Sequence, residues 1–136
     1  MHKILTICCI VLISLFLQHF AMAQTQEQLK VQTVRPNLIV EDVLFYFNAL
    51  NTVELKATEV DAFLELKNFY QVILKNAESK SFMLADTIYV DIPVTIANNS
   101  LFFMQRISMT GADALKYKRF QNALSEAIRV FKEENK

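Results

Sequence analysis

Hydrophobic positions along this chain change period several times, and each period predicts a different element. Ala62, Phe63, Leu66, Phe69, Tyr70, Ile73, Leu74 and Ala77 recur at i, i+3, i+4, i+7 spacing. That spacing predicts an amphipathic helix over about 59–77. Tyr117, Phe120, Leu124, Ala127, Ile128 and Phe131 predict a second helix over about 112–132. Both follow a Thr-x-x-Asp start, Thr58 to Asp61 and Thr110 to Asp113, which resembles a capping box with a shorter acid.

Between these helices the period falls to two. Ile88, Val90, Ile92, Val94 and Ile96 alternate with Thr87, Tyr89, Asp91, Pro93 and Thr95. Asn98-Asn99 follows, then a second β-rich run from Leu101 to Met109. The pattern predicts a hairpin, about 87–96 and 101–109, closed by a loop over Ala97–Ser100. In that register Ile96 faces Leu101, Val94 faces Phe103, and Asp91 meets Arg106 as a cross-strand charge pair. Pro93 lacks an N–H, which places this strand at a sheet edge. Phe82–Asp86 extends the strand backwards through a bend.

Leu38–Leu50 fits either period. Ile39, Val43, Tyr46, Phe47 and Leu50 share a helical face with Asn37 as N-cap, and the helix reading is preferred. Thr52–Ala57 alternates and predicts a short strand. The element order gives an α+β fold. It is a two-layer sandwich, with a small, mostly antiparallel sheet and helices on one face.

The N-terminus reads as an address. Lys3 precedes the apolar run Ile4–Leu17, and Ala21-Met22-Ala23 forms an A-x-A site. This predicts a signal peptide over 1–23 with cleavage after Ala23, and a secreted or periplasmic product. The alternative is an uncleaved signal anchor, since Ile4–Ala23 is just long enough to span a bilayer. Gln-rich residues 24–37 read as a flexible lead-in broken by Pro36, and 38–136 as a single α+β domain.

Composition then narrows the chemistry. The chain has 136 residues, 14 basic and 14 acidic side chains, and 53% apolar residues. That balance excludes a disordered tail and a basic nucleic-acid-binding protein. Both cysteines and both histidines, Cys8, Cys9, His2 and His19, lie in the leader. Beyond Ala23 there is no imidazole or thiol for a catalytic triad, a Cys nucleophile or the usual zinc site. One glycine, Gly111, cannot build a phosphate loop. No cofactor or metal is expected, and membrane insertion after cleavage is not expected either.

Remaining groups have plainer readings. Glu41-Asp42, and Asp61 with Glu65, are carboxylate pairs, but a glycosidase needs carboxyls opposed across a cleft. Lys116, Lys118 and Arg119 read as a solubilising face rather than an anion site. Asn98-Asn99-Ser100 is a glycosylation sequon whose residues also suit a turn. The second face of the expected hairpin gathers Tyr89, Pro93, Phe102 and Met104, an apolar surface for a protein partner or a second copy. The functional expectation is an exported, non-catalytic binding domain working through that face or the sheet edge. A carrier of a lipid or other apolar small ligand between sheet and helices is the alternative, and a His- and Cys-independent hydrolase the third reading.

Overall fold

A computed structural model describes residues 31–136. The predicted leader, its cleavage site and the first half of the lead-in, residues 24–30, lie outside the described residues. The fold is α+β, with antiparallel strand pairs and four α-helices.

Strands β1 (Thr33–Val34) and β2 (Asn37–Ile39) lie along the stretch that ends the lead-in. They pair antiparallel with β4 (Ile92–Pro93) and β3 (Thr87–Tyr89), respectively. The register sets Thr33 opposite Pro93, Val34 opposite Ile92, Leu38 opposite Ile88 and Ile39 opposite Thr87. All the pairs share one register, so the four strands form one ribbon interrupted at Arg35-Pro36. Pro36 has no N–H to contribute there. Across the interruption, Arg35 Nε and Nη2 donate to the two Asp91 carboxylate oxygens at 2.7 and 2.8 Å. Asp91 therefore takes Arg35 as its cation, not the expected Arg106.

The first helix, α1 (Val40–Ala49), continues directly from β2. Asn37–Ile39, expected at the helix start, are strand instead, and Asn37 does not cap. The first helical N–H groups are capped by backbone: Val40 donates to Asp86 O at 3.0 Å and Glu41 to Leu84 O at 2.8 Å. Glu41 and Asp42 add favourable negative charge at this end of the helix dipole.

The expected strand Thr52–Ala57 does not form. Short 3₁₀ turns occupy Leu50–Thr52 and Ala57–Glu59, with extended chain between them. Among the described residues no strand lies beside this segment, and side chains take over its polar groups. Arg106 donates to Glu54 O, and Thr52 Oγ1 accepts the Ser108 N–H at 3.1 Å.

Helix α2 (Val60–Ser79) buries Phe63, Leu66, Tyr70, Ile73 and Ala77, the stripe read from periodicity. Its start differs from the expected Thr58–Asp61 box. Glu59 Oε2 accepts the Lys56 N–H at 3.0 Å, so Glu59 supplies the reciprocal contact. Helix α4 (Ala114–Glu134) buries Phe120, Leu124 and Ile128. Here the Thr-x-x-Asp pair does close, with Thr110 Oγ1 donating to Asp113 Oδ2 at 2.8 Å.

The expected hairpin is corrected. Val94–Met104 is helix α3, and the chain from Gln105 to Thr110 contains no strand. Its buried residues, Ile96, Ala97, Ser100, Phe103 and Met104, also obey i, i+3, i+4 spacing. Both periods were written into one stretch, and packing chose the helical one. Ser100, buried with no exposed surface, sits where α1 and α2 approach α3. Ser100 Oγ donates to Ile96 O at 2.7 Å, so the Tyr70 hydroxyl, 2.8 Å away, donates to Ser100 Oγ. Tyr46 donates to Ser100 O at 3.2 Å. Tyr46 stacks on Phe120 at 4.5 Å and meets Tyr70 edge-on at 5.1 Å, which brings α4 into the same core. A strand in place of α3 would put Ser100 and Phe103 on opposite faces and break this cluster.

Phe82–Asp86, expected as strand, is a turn. Helix α2 ends in a Schellman arrangement: Ser81 N–H donates to Glu78 O at 2.9 Å and Phe82 N–H to Ala77 O at 3.0 Å. Ser81 occupies the left-handed position, φ 57°, where a Cβ is unfavourable. Ser81→Gly is expected to stabilise the domain by about 1 kcal/mol. Urea denaturation would show this as a raised midpoint with an unchanged slope; an unchanged or lowered midpoint would refute it.

Candidate interaction surface

The charged groups singled out in the sequence meet across the fold. Glu41 and Asp42 on α1 face Lys116 and Arg119 on α4. Arg119 Nε donates to Asp42 Oδ2 at 2.9 Å, its Nη2 reaches Asp42 Oδ1, and Lys116 Nζ lies 3.1 Å from Glu41 Oε1. Asp42 is 1% exposed, so Arg119 clamps a carboxylate that lies in the interior, while Glu41 and Lys116 meet at the partly exposed end of the cluster. The expected basic face is correspondingly split: Lys116 and Arg119 are paired inward, and Lys118 bonds Gln121. Asp61 and Glu65 are exposed along α2. Among the described residues no group of His, Cys, Asp or Glu is placed to hold a metal ion.

The buried hydroxyls do not form a reactive centre. Burial pushes the Tyr46 and Tyr70 phenols far above their ordinary range. Ser100 makes its bonds within the core, so the sequon at Asn98 has an exposed asparagine but an inaccessible serine hydroxyl. The sequon lies in α3, not in the exposed turn expected of it.

The four residues expected to share a surface are dispersed, because the hairpin that would align them is absent. Met104 is 1% exposed and belongs to the core. Pro93 is half-buried, opposite Thr33 and at the start of α3. Phe102 is exposed on α3, with the Arg106 guanidinium 5.7 Å from its ring centre. Tyr89 is exposed on β3, at 69%.

Tyr89 does border an apolar surface, which the sequence reading placed elsewhere. Phe82, Met83 and Leu84 are consecutive, and all three are exposed, Met83 to 74%. Their backbone is held rigidly. Phe82 N–H closes the α2 C-cap, Met83 N–H donates to Asp86 Oδ2 at 2.7 Å, Met83 O accepts the Asp86 N–H, and Leu84 O caps α1. A groove of about 400 Å³ begins at this turn. One wall is Ile73, Asn76 and Ala77 of α2, with its C-cap Lys80 and Phe82; the other is the chain from Thr87 to Asp91. Asp91 is held by Arg35, and Lys80 makes no ion pair among the described residues. A wider groove of about 610 Å³ runs between β1–β2 and α4, but two of its charged rim residues are already paired, Arg35 with Asp91 and Glu126 with Arg129. Three large apolar residues in a row after a helix fit neither a helical stripe nor an alternating strand, and that misfit was the available signal.

Two outcomes follow from the electrostatics. Arg119→Met leaves the Asp42 carboxylate buried without its counter-charge and is expected to cost about 3 kcal/mol, whereas Lys116→Met, at the exposed end of the cluster, changes stability little. Equal urea midpoints for the two variants would contradict this. The second outcome concerns acid. Lys116 holds the Glu41 carboxyl below its usual range, the Lys56 N–H and then Arg106 hold Glu59 low, and Arg35 and Arg129 do the same for Asp91 and Glu126. Each pKa is lower folded than unfolded, so the stability gained is present above the ordinary carboxylate range and fades as pH falls through the lowered values. The thermal midpoint should therefore be level near neutrality and fall below about pH 4; a midpoint that rises on acidification would overturn the assignment.

Comparison of the chain with protein families, curated proteins and solved structures returned no match.

Proposed function

We propose that this is a small exported domain that acts by binding a partner rather than by catalysis. Its contact surface is the groove between α2 and β3 together with the Phe82–Leu84 turn. The observation that carries the reading is the fixed exposure of three adjacent apolar side chains. Apolar contact with a partner is stabilising in proportion to the area removed from water. Here the backbone of the turn is pre-organised by four hydrogen bonds, so little ordering entropy opposes association. Tyr89 beside it supplies a large amphipathic ring of the kind enriched in binding surfaces. The leader over 1–23 supports export, into a secreted or periplasmic setting.

The carrier alternative draws less support. The two grooves between strands and helices, where such a ligand would lie, carry charged and amide side chains, Asn76, Lys80 and Asp91 in one and Arg35, Asn122, Glu126 and Glu134 in the other.

The test is selection from a displayed library of random short peptides on the mature chain. Enriched peptides are expected to bind the wild type and to bind Met83→Asp about tenfold more weakly, with the fold of Met83→Asp unchanged by circular dichroism. Met83 is largely solvent-exposed, so its substitution leaves the core intact. Enrichment of no binder, or equal binding by Met83→Asp, would reject the reading.

A further inference from the structure

We propose that the groove takes an extended peptide segment as an added strand on the outer edge of β3. The inference rests on the groove being a binding surface, and it specifies how the partner is held. Among the described residues β3 has one strand neighbour, β2. The phase of that ladder is fixed by Val40, whose N–H donates to Asp86 O at 3.0 Å and continues the β2–β3 register by one residue. In an antiparallel pair the residues that exchange bonds alternate. Leu38 and Ile88 therefore face each other through hydrogen bonds, and the N–H and C=O groups of Thr87 and Tyr89 point away from β2. Among the described residues those four groups have no hydrogen-bond partner.

Their position is the groove. Its wall is made by five consecutive residues, Thr87 to Asp91. Side chains alternate across a strand, so one face would supply every second residue only. A consecutive run means that the backbone edge borders the groove. Two donors and two acceptors, spaced two residues apart along an open edge, match an extended backbone and little else. Opposite that edge, the exposed Phe82 and the mostly buried Ile73 and Ala77 line the groove with apolar surface, against which every second side chain of the added strand packs. The unpaired cation of the groove is Lys80, so the segment carries a carboxylate, from Asp, Glu or its own C-terminus, beside an apolar residue.

A second copy of this chain suits the edge less well. β3 is three residues long, and α2 stands beside it as a wall. A symmetric partner would bring its own α2 wall into the same space, whereas an isolated strand enters without one.

The experiment uses the mature chain and one peptide enriched in the library selection. Amide hydrogen exchange is read with and without the peptide. Without it, the Ile88 N–H is expected to be protected and the Thr87 and Tyr89 N–H groups fast; with it, Thr87 and Tyr89 slow by at least about tenfold. N-methylation along the peptide is expected to weaken binding about tenfold at alternate positions and little between them. Tyr89→Pro removes an outward donor while leaving the β2 ladder intact, and it should bind as poorly as the worst N-methyl peptide. If that variant does not fold, the exchange and N-methyl arms still decide. Peptide binding that depends on Met83, with a flat N-methyl scan and unchanged exchange at Thr87 and Tyr89, overturns strand addition and leaves the binding surface standing. Failure of any peptide to bind overturns both. Sedimentation of the protein alone completes the test: a dimer lost on Tyr89→Pro would assign the edge to a second copy and overturn the peptide proposal.

Discussion

Two tyrosine hydroxyls and one serine hold the four helices in a single arrangement. Ser100 is the small residue at which α1, α2 and α3 come together, and its hydroxyl and carbonyl accept from Tyr70 and Tyr46. Burying phenols without partners costs on the order of 1–3 kcal/mol each, so the network is as much a selector of packing as a source of stability. The Phe120 ring, stacked on Tyr46, extends the same constraint to α4. Once Ser100 must face both tyrosines, Ile96, Phe103 and Met104 fall on the buried side of a helix. The alternating sequence of this region then has no strand partner left to choose.

The exposed apolar turn depends on a second constraint, at the opposite end of α1. That helix has no side-chain N-cap, and the carbonyls of Leu84 and Asp86 take its place. Meeting that requirement pins the turn after α2 against α1. The Schellman ending of α2 fixes the turn from the other side. Phe82, Met83 and Leu84 are thus exposed because their backbone is committed twice over, and the side chains are left pointing outward. The clamp of Asp42 on Arg119 secures the same end of α1 to α4, so the support beneath the turn is itself braced.

Much of the scaffold was legible from local pattern. Phe63, Leu66, Tyr70 and Ile73, and likewise Phe120, Leu124 and Ile128, form stripes too long and too regular for a strand, and both helices lie where periodicity put them. The Leu38–Leu50 segment carries apolar residues on more than one side, and packing of α1 against both α2 and α4 explains why. Tertiary contacts altered several readings, three of them along the chain's alternating stretches and charges. Val53, Leu55 and Ala57 alternate, yet no sheet edge reaches them. Asp91 found Arg35 across a break in the ribbon, a pairing invisible until the N-terminal strand was known to lie there. Val94–Met104 satisfied two periods at once. Of the candidate surface residues, Tyr89 alone borders the groove. Its neighbours there, Ile73, Ala77 and Phe82, are drawn from the end of α2 and the turn after it, so no linear pattern could list them together.

By itself the sequence determined the class of fold, the two long helices, the residues that must be buried along them, and the confinement of His and Cys to positions 2–19. These are local or compositional properties, set by side-chain period and by which residue types are present. The tertiary structure decided which of two periods α3 obeys, which cation each carboxylate takes, and where apolar side chains remain in water. Those depend on backbone polar groups finding partners far apart in the chain. A helix end that needs two carbonyls, and a strand edge that lacks a neighbour, exist only once distant segments have been brought together.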